Sequence, residues 1–255
     1  MKTNEGGHPG AIVVGASSGI GAAIAKELVG RGWRVAALAR RGAELAELER
    51  ACSEAARTSG GALVTRVHDV ARTEEVPGLF EDLVRALGGL ELLVYAAGIM
   101  PKIGEQEYDT RKDLEILAVN TGGCIAWCNP AADLFRTQRK GTIVGISSIA
   151  GDRGRKGNPV YCTSKAAMNT YLEALRNRLG EFGVHVCTIR PGYVDTAMVK
   201  GVPELFWLIS AEDAARRILR AAFSRANVRY VAFRWMWVGL VLRLIPSFLF
   251  RRMTI

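Results

Sequence analysis

Tyr161 and Lys165 lie four positions apart in Tyr161-Cys162-Thr163-Ser164-Lys165, at the start of a long helical pattern. That spacing puts both side chains on one helical face, with the lysine beneath the tyrosine. A phenol of ordinary pKa, about 10, exchanges protons poorly near neutrality. An adjacent ammonium stabilises phenolate and poises the hydroxyl for proton transfer. Such pairs are also common on helix surfaces, so the pair alone decides nothing. Ser148, in Gly145-Ile146-Ser147-Ser148, adds a hydroxyl at the end of an apolar run that reads as a strand. There it is placed to donate to a carbonyl oxygen as charge develops on it. A second chemical feature lies near the start of the chain, in Gly15-Ala16-Ser17-Ser18-Gly19-Ile20-Gly21. Glycines at a strand-to-helix turn let backbone N–H groups approach a pyrophosphate at the helix N-terminus. A tight turn with no ligand would use the same residues, but the position after the first strand of a β-α series favours a nucleotide.

These groups need a frame. Ala11–Val14, Val35–Ala39, Leu63–Val67, Leu92–Tyr95, Thr142–Ile146, Val184–Ile189 and Val228–Val231 read as seven strands, most of them continuously apolar. Continuous apolar runs suit parallel strands covered on both faces. Helical patterns alternate with them at Ile20–Arg31, Ala43–Arg57, Val76–Leu87, Leu114–Arg136, Ala166–Gly180 and Ala211–Phe223. The expected fold is α/β: a single Rossmann-type, doubly wound, mostly seven-stranded parallel sheet with helices on both faces. Its expected parts are a flexible N-terminus over 1–10, a catalytic domain over 11–232, and a basic aromatic extension over 233–255. Ser148 then falls at the carboxyl end of the fifth strand, where such sheets bind ligands.

The G-x-x-x-G-x-G spacing, with Ser148, Tyr161 and Lys165, resembles the short-chain dehydrogenase/reductase family over residues 11 to about 231. The resemblance implies a catalytic set of Asn120, Ser148, Tyr161 and Lys165. Asn120, in Val119-Asn120-Thr121-Gly122, sits mid-helix where asparagine is a mediocre helix former; the resemblance gives it a water linking Lys165 to solvent. His68-Asp69-Val70 resembles the family's Asp-hydrophobic pair beside the adenine, which assigns Asp69 and Val70 to the cofactor. Ala96-Ala97-Gly98 resembles its Asn-Ala-Gly motif, with Ala96 in place of the usual asparagine. Pro191-Gly192-Tyr193-Val194-Asp195-Thr196 resembles the loop flanking the nicotinamide, assigning Pro191, Gly192, Val194 and Thr196. Gly15, Ser17, Ser18, Gly19, Ile20, Gly21, Tyr161 and Lys165 complete that set with Arg40 and Arg41. These two arginines end the second strand, where no acid is present to meet the adenosine ribose. Their donors and charge suit a 2′-phosphate, favouring NADP over NAD; otherwise they only cap a solvated helix start. The implied reaction is hydride transfer from the nicotinamide to a carbonyl carbon. In it Tyr161 protonates the oxygen, Ser148 steadies it, and Lys165 lowers the tyrosine pKa and binds the nicotinamide ribose.

Composition removes other classes. Hydrophobic residues at 49% and charged ones at 23% exclude wholesale disorder. The net charge of +9 would invite a nucleic-acid partner. Yet residues 216–255 hold nine arginines and no acid, so the remainder is neutral. These arginines are interleaved with core-like aliphatics, and no nucleic acid is expected. Five cysteines, Cys52, Cys124, Cys128, Cys162 and Cys187, fit reduced thiols in a cytoplasmic protein. The polar Met1–Gly10 stretch carries no secretory signal. His8, His68 and His185 have no metal-ligand spacing, so no metal is expected.

Met198, Val199, Pro203, Leu205, Phe206, Trp207 and Leu208 follow the sixth strand, where the family carries a lid. An apolar lid suggests an apolar or amphipathic substrate, although such residues also serve to pack a core. The run Trp235–Leu242 is too short to span a membrane, which takes roughly 20 residues. Tryptophan, phenylalanine and leucine mixed with arginine over 233–252 suit an anionic lipid surface, hence a peripheral position at an inner membrane face. They equally suit a helix on the core or across a subunit contact. That tail and Ser147–Asn158 also resemble the decaprenylphosphoryl-keto-ribose 2-reductases, which implies a lipid-linked keto-sugar as an alternative substrate. The family resemblance implies a homodimer or homotetramer, and a non-catalytic NADP-binding sensor or scaffold stands as the alternative to an enzyme.

Overall fold

The computed structural model describes residues 7–104, 106–199 and 205–253. Strands β1 Gly10–Val14, β2 Arg34–Ala39, β3 Ala62–Val67, β4 Leu92–Tyr95, β5 Thr142–Ile146, β6 His185–Pro191 and β7 Val228–Val231 form one sheet. Their order is β3-β2-β1-β4-β5-β6-β7 and every pairing is parallel. The helices are α1 Gly19–Gly30, α2 Gly42–Ser59, α3 Val76–Leu87, α4 Thr110–Leu117, α5 Gly123–Gln138, α6 Pro159–Leu179, α7 Ala211–Phe223, α8 Trp235–Leu244 and α9 Ser247–Phe250. The expected doubly wound, seven-stranded sheet is the observed one.

The pleat explains the apolar runs. Along β1, Ala11 and Val13 face a layer built with α1, α2 and α7, whereas Ile12 and Val14 face α3, α5 and α6. A strand covered on both sides has no polar face. The edge strands differ: Arg66, Val67, Val228 and Arg229 are exposed because nothing covers them. Strand order reverses between β1 and β4, which opens a crevice at the carboxyl ends. Cys52, Cys124, Cys128, Cys162 and Cys187 are buried free thiols.

At the N-terminus, residues 1–6 lie outside the described residues. His8 is tied down, its Nδ1 donating to the Gly32 carbonyl at 2.6 Å, and β1 already begins at Gly10.

The pattern over Leu114–Arg136 reads as one helix, but the structure interrupts it. A π-helical turn, Ala118–Gly122, separates α4 from α5. Its extra residue changes the facing of Asn120 and leaves backbone to be satisfied elsewhere. The Tyr95 hydroxyl donates to the Val119 carbonyl, and the Asn120 amide turns to the backbone of Ile99.

Beyond β7 the tail folds back. Gly192 leaves no room for a side chain, since a Cβ there would lie 2.0 Å from Nε1 of Trp235. Trp235 also meets Tyr193 and Trp207 edge to face, at 5.4 and 5.3 Å between ring centroids. Asp152, its side chain fully buried, accepts from Arg190 at 2.9 Å, from the Tyr230 hydroxyl at 2.7 Å, and from Arg243 of α8. Arg153 donates to the carbonyls of Leu242 and Ile245 at the end of α8, at 2.7 and 2.6 Å. Those acceptors are carbonyls that the helix itself leaves unbonded. The turn after Ser148 therefore grips the tail.

Candidate active site

Ser148 is extended, at φ −166 and ψ 157, and its Oγ accepts from Ala150 N–H at 3.1 Å, capping the turn Ile149–Asp152. Tyr161 and Lys165 come from the first turns of α6, which starts at Pro159. Asn158 caps that helix, its Oδ1 accepting from Tyr161 N–H at 3.3 Å. Proline suits a first helical position because no N–H is needed there. The Ser148 hydroxyl lies near enough to the Tyr161 phenol to favour its ionised form.

Lys165 is buried, and its Nζ donates to the Ile146 carbonyl at 3.0 Å, 5.7 Å from the centre of the Tyr161 ring. Burial pulls its pKa down to about 8. Tyr161 moves the opposite way: burial raises it, with the Ser148 hydroxyl and the Arg155 charge offsetting part of the rise. The sequence expectation that Lys165 lowers the tyrosine has no counterpart in these shifts. Desolvation dominates because both groups are taken from water while the ammonium turns toward a strand carbonyl.

These groups share a cleft of about 700 Å³ at the carboxyl ends of the strands. Gly15, Ser17, Ser18, Gly19, Ile20 and Gly21 line one end with Arg40 and Arg41. Val70, Ala96, Ala97 and Gly98 follow, then Ser148, Tyr161 and Lys165. Pro191, Gly192, Val194 and Thr196 close the far wall. Two expected residues do not line it. Asp69 folds onto its own turn, its Oδ1 accepting from Ala71 N–H at 3.1 Å. Asn120 is wholly buried behind the wall: its Oδ1 accepts from Ile99 N–H at 2.8 Å, and its Nδ2 donates to Ile99 O at 3.1 Å and Ser164 Oγ at 3.0 Å.

The glycine turn meets the steric demands of a dinucleotide pyrophosphate. Gly15 and Gly19 sit at φ +91 and +56, conformations that a side chain disfavours. A Cβ at Gly15 would lie 2.4 Å from Ala97 N, and at Gly19 2.8 Å from Thr196 Cγ2. Side chains here would fill the cradle. Arg41 is engaged, donating to Ser17 Oγ and Ser18 Oγ at 2.8 and 2.7 Å and pairing with Glu44. Arg40 is exposed at the rim and has no carboxylate partner among the described residues.

Other lining residues were not singled out from sequence: Ile99, Met100 and Pro101 after β4, Arg111, Lys112 and Glu115 on α4, and His68. The apolar trio directly follows Gly98, a signal that was available. The α4 residues carried none, because their place depends on how α4 crosses the cleft. Of the expected lid, Met198 and Val199 line the cleft, Pro203 lies outside the described residues, Leu205 is half-buried, and Phe206, Trp207 and Leu208 are exposed; these last four do not line the cleft.

Known proteins match this arrangement. Residues 10–205 match the family model described as short chain dehydrogenase. An uncharacterized oxidoreductase of Staphylococcus saprophyticus is 34% identical over 188 residues, 74% of this chain and 79% of that protein. A 3-oxoacyl-[acyl-carrier-protein] reductase of Bos taurus is 32% identical over 192 residues, 75% of this chain and 78% of its own. Among solved structures, a short-chain type dehydrogenase/reductase from Mycobacterium ulcerans superposes with a TM-score of 0.82 at 22% identity, covering 97% of this chain and 98% of that one. With the glycine turn, the Tyr-Lys pair and the serine all opening on one cleft, the chain belongs to the short-chain dehydrogenase family, oxidoreductases that use nicotinamide cofactors.

Proposed function

We propose that this chain is an NADP-dependent reductase/dehydrogenase that interconverts a carbonyl and a secondary alcohol on an apolar or amphipathic substrate. The observation that carries this reading is the opening of Ser148, Tyr161 and Lys165 onto the cleft that also contains the glycine turn. Gly15–Gly21 would hold the pyrophosphate, Val70 and Ala96–Gly98 the adenine side, and Lys165 with Pro191–Thr196 the nicotinamide side. The bound nicotinamide supplies the hydride for reduction and takes it up in oxidation. In reduction, the Tyr161 hydroxyl gives its proton to the carbonyl oxygen while the Ser148 hydroxyl donates a hydrogen bond to that oxygen. Lys165 carries the positive charge that makes the resulting phenolate less costly. Asn120 acts one step back, fixing the Ile99 backbone and Ser164, which directly precedes the lysine on α6.

Apolar Ile99, Met100, Pro101, Met198 and Val199 support an apolar or amphipathic substrate. A 3-oxoacyl-[acyl-carrier-protein], named for the bovine relative, and a lipid-linked keto-sugar both fit that class. Residues 11–232 form the proposed catalytic unit and 233–255 its extension, assembling as a homodimer or homotetramer.

The 2′-phosphate of NADP matches Arg40, whose guanidinium at the rim has no carboxylate partner among the described residues. The test is NADPH oxidation across ketones, 3-oxoacyl thioesters and keto-sugars, with NADH in parallel. Turnover with NADPH, and an Arg40→Asp variant whose NADPH preference drops by about 10- to 100-fold, are expected from the loss of one charge-assisted hydrogen bond. An unchanged preference rejects the NADP assignment. Cofactor binding with no turnover on any carbonyl rejects the enzyme and favours a sensor.

A further inference from the structure

The outer face of α8 and α9 is not explained by the reaction. Trp237, Leu240, Val241 and Leu244 recur at the i, i+3, i+4, i+7 spacing of one helical stripe, and all four are exposed, Leu244 at 72% and Trp237 at 57%. Phe248 and Leu249 continue the apolar surface onto α9, at 58% and 46%. The opposite face of α8 is fully used: Trp235 lies on Gly192 and Gly239 on Asp152. Apart from Arg243, which pairs with Asp152, the helix is apolar on both sides, one anchored to the protein and the other facing outward. A contiguous apolar stripe of this kind marks an interaction surface.

Its surroundings identify the partner. Residues 216–255 contain nine arginines and no acid. Arg234, Arg251 and Arg252 flank the stripe, and none has a carboxylate partner among the described residues. Beside α9 a hollow of about 350 Å³ lies between Arg153, Lys156, Ser247 and Arg251. Arg153 spends its hydrogen bonds on the Leu242 and Ile245 carbonyls, and among the described residues no acid pairs with Arg153, Lys156 or Arg251. Self-pairing across a twofold axis through the stripe would bring one arginine-rich, acid-free segment against another, which like-charge repulsion opposes. An anionic, apolar-cored partner complements both features at once: negative groups for the arginines and hydrocarbon for the stripe.

We propose that α8 and α9 dock in the plane of an anionic lipid bilayer, with Trp237, Leu240, Val241, Leu244, Phe248 and Leu249 in the headgroup–acyl boundary. The hollow of Lys156 and Arg251 takes a lipid phosphate. No helix among the described residues is long and apolar enough to cross a membrane, so α8 lies on the surface. Its inner contacts already hold it folded, and docking orders nothing new. Through Trp235 the docked helix sits directly behind the Gly192 wall of the cleft. The docking stands independently of the proposed reaction, because vesicle binding is read without turnover.

The test is co-sedimentation of the full chain with phosphatidylcholine vesicles and with vesicles in which about a third of the lipid is phosphatidylglycerol. Binding to the anionic vesicles is expected to exceed binding to the neutral ones by on the order of a hundredfold and to weaken as salt is raised. Leu240→Glu with Leu244→Glu should remove most of it, and Arg251→Glu with Arg252→Glu should reduce it to the neutral-vesicle level. Circular dichroism and NADPH affinity should stay unchanged in both double variants. Wild-type protein that binds both vesicle types equally or not at all overturns the proposal, as does an Arg251/Arg252 variant that binds like wild type. Light scattering supplies the remaining outcome: an oligomer that dissociates in the Leu240/Leu244 variant makes the stripe a contact between copies and overturns the proposal whatever the vesicles do.

Discussion

A Tyr161→Phe variant is expected to lose about a thousandfold in kcat for carbonyl reduction, within the 10²–10⁴ range of a positioned general acid. Its NADPH affinity should change by less than about threefold, since the ring stays and only the hydroxyl goes. The effect is large because the phenol is the group positioned beside Ser148 at the reacting end of the cleft. Its neighbour Ser148 has a hydroxyl already capping the turn at Ala150, and an alcohol is a far weaker acid. Steady-state kinetics with NADPH binding followed separately by fluorescence distinguish lost chemistry from lost binding. Normal turnover in the variant would remove Tyr161 from the mechanism, whereas a parallel loss of cofactor affinity would make it a binding residue.

Lys165→Met is expected to move activity and stability in opposite directions. The ammonium is buried with one carbonyl partner, and its pKa falls from 10.5 to about 8. That depression corresponds to about 3 kcal/mol by which the folded state disfavours the charged form. Below pH 8 both folded and unfolded chains hold the proton, and the cost is fully present. Between pH 8 and 10.5 the unfolded chain binds a proton that the folded chain does not, so wild-type stability rises with pH. Methionine removes the charge while keeping a similar length. Without added cofactor the variant should therefore melt higher at pH 7, by up to about 3 kcal/mol, and the gap should close as pH rises to 10.5. Turnover should fall by at least about a hundredfold, because no charge then favours phenolate. In the wild type, kcat/KM for NADPH should decline as pH rises through 8, where Lys165 becomes neutral. A variant less stable than wild type at pH 7 would show that the hydrogen bond to Ile146 outweighs the desolvation.

Much of the frame was legible because parallel strands buried on both faces must be apolar throughout. β1, β4 and β5 are such strands, and their runs coincide with the observed elements within about one residue. Legibility fell where one contact replaces a rule of periodicity. The π-helical turn at Ala118–Gly122 cannot be read from the pattern over Leu114–Arg136, since it depends on Tyr95 and Ile99 meeting Val119 and Asn120 across the fold. The glycine turn was legible for a local reason: Gly15 and Gly19 adopt backbone conformations that other residues resist. Asp69 looked like its neighbour Val70 in sequence, yet its carboxylate is spent on Ala71, an alternative open to any aspartate at a turn.

Local chemistry and periodicity, carried by the order of residues alone, determined the doubly wound sheet, the phosphate-type turn, the Tyr-Lys pairing on one helical face and the segregation of positive charge into the last forty residues. Tertiary structure decided how those groups stand to one another. Burial moved the pKa values of Tyr161 and Lys165 apart instead of together, because desolvation depends on everything packed around a group and not on the residue four places away. It also turned Asn120 behind the wall and left Arg40 without a carboxylate partner among the described residues while Arg41 was engaged. In the tail it set one face of α8 against Gly192 and Asp152 and left the other outward. Sequence spacing marks which residues share a helical face, but only the surrounding packing decides which face is covered.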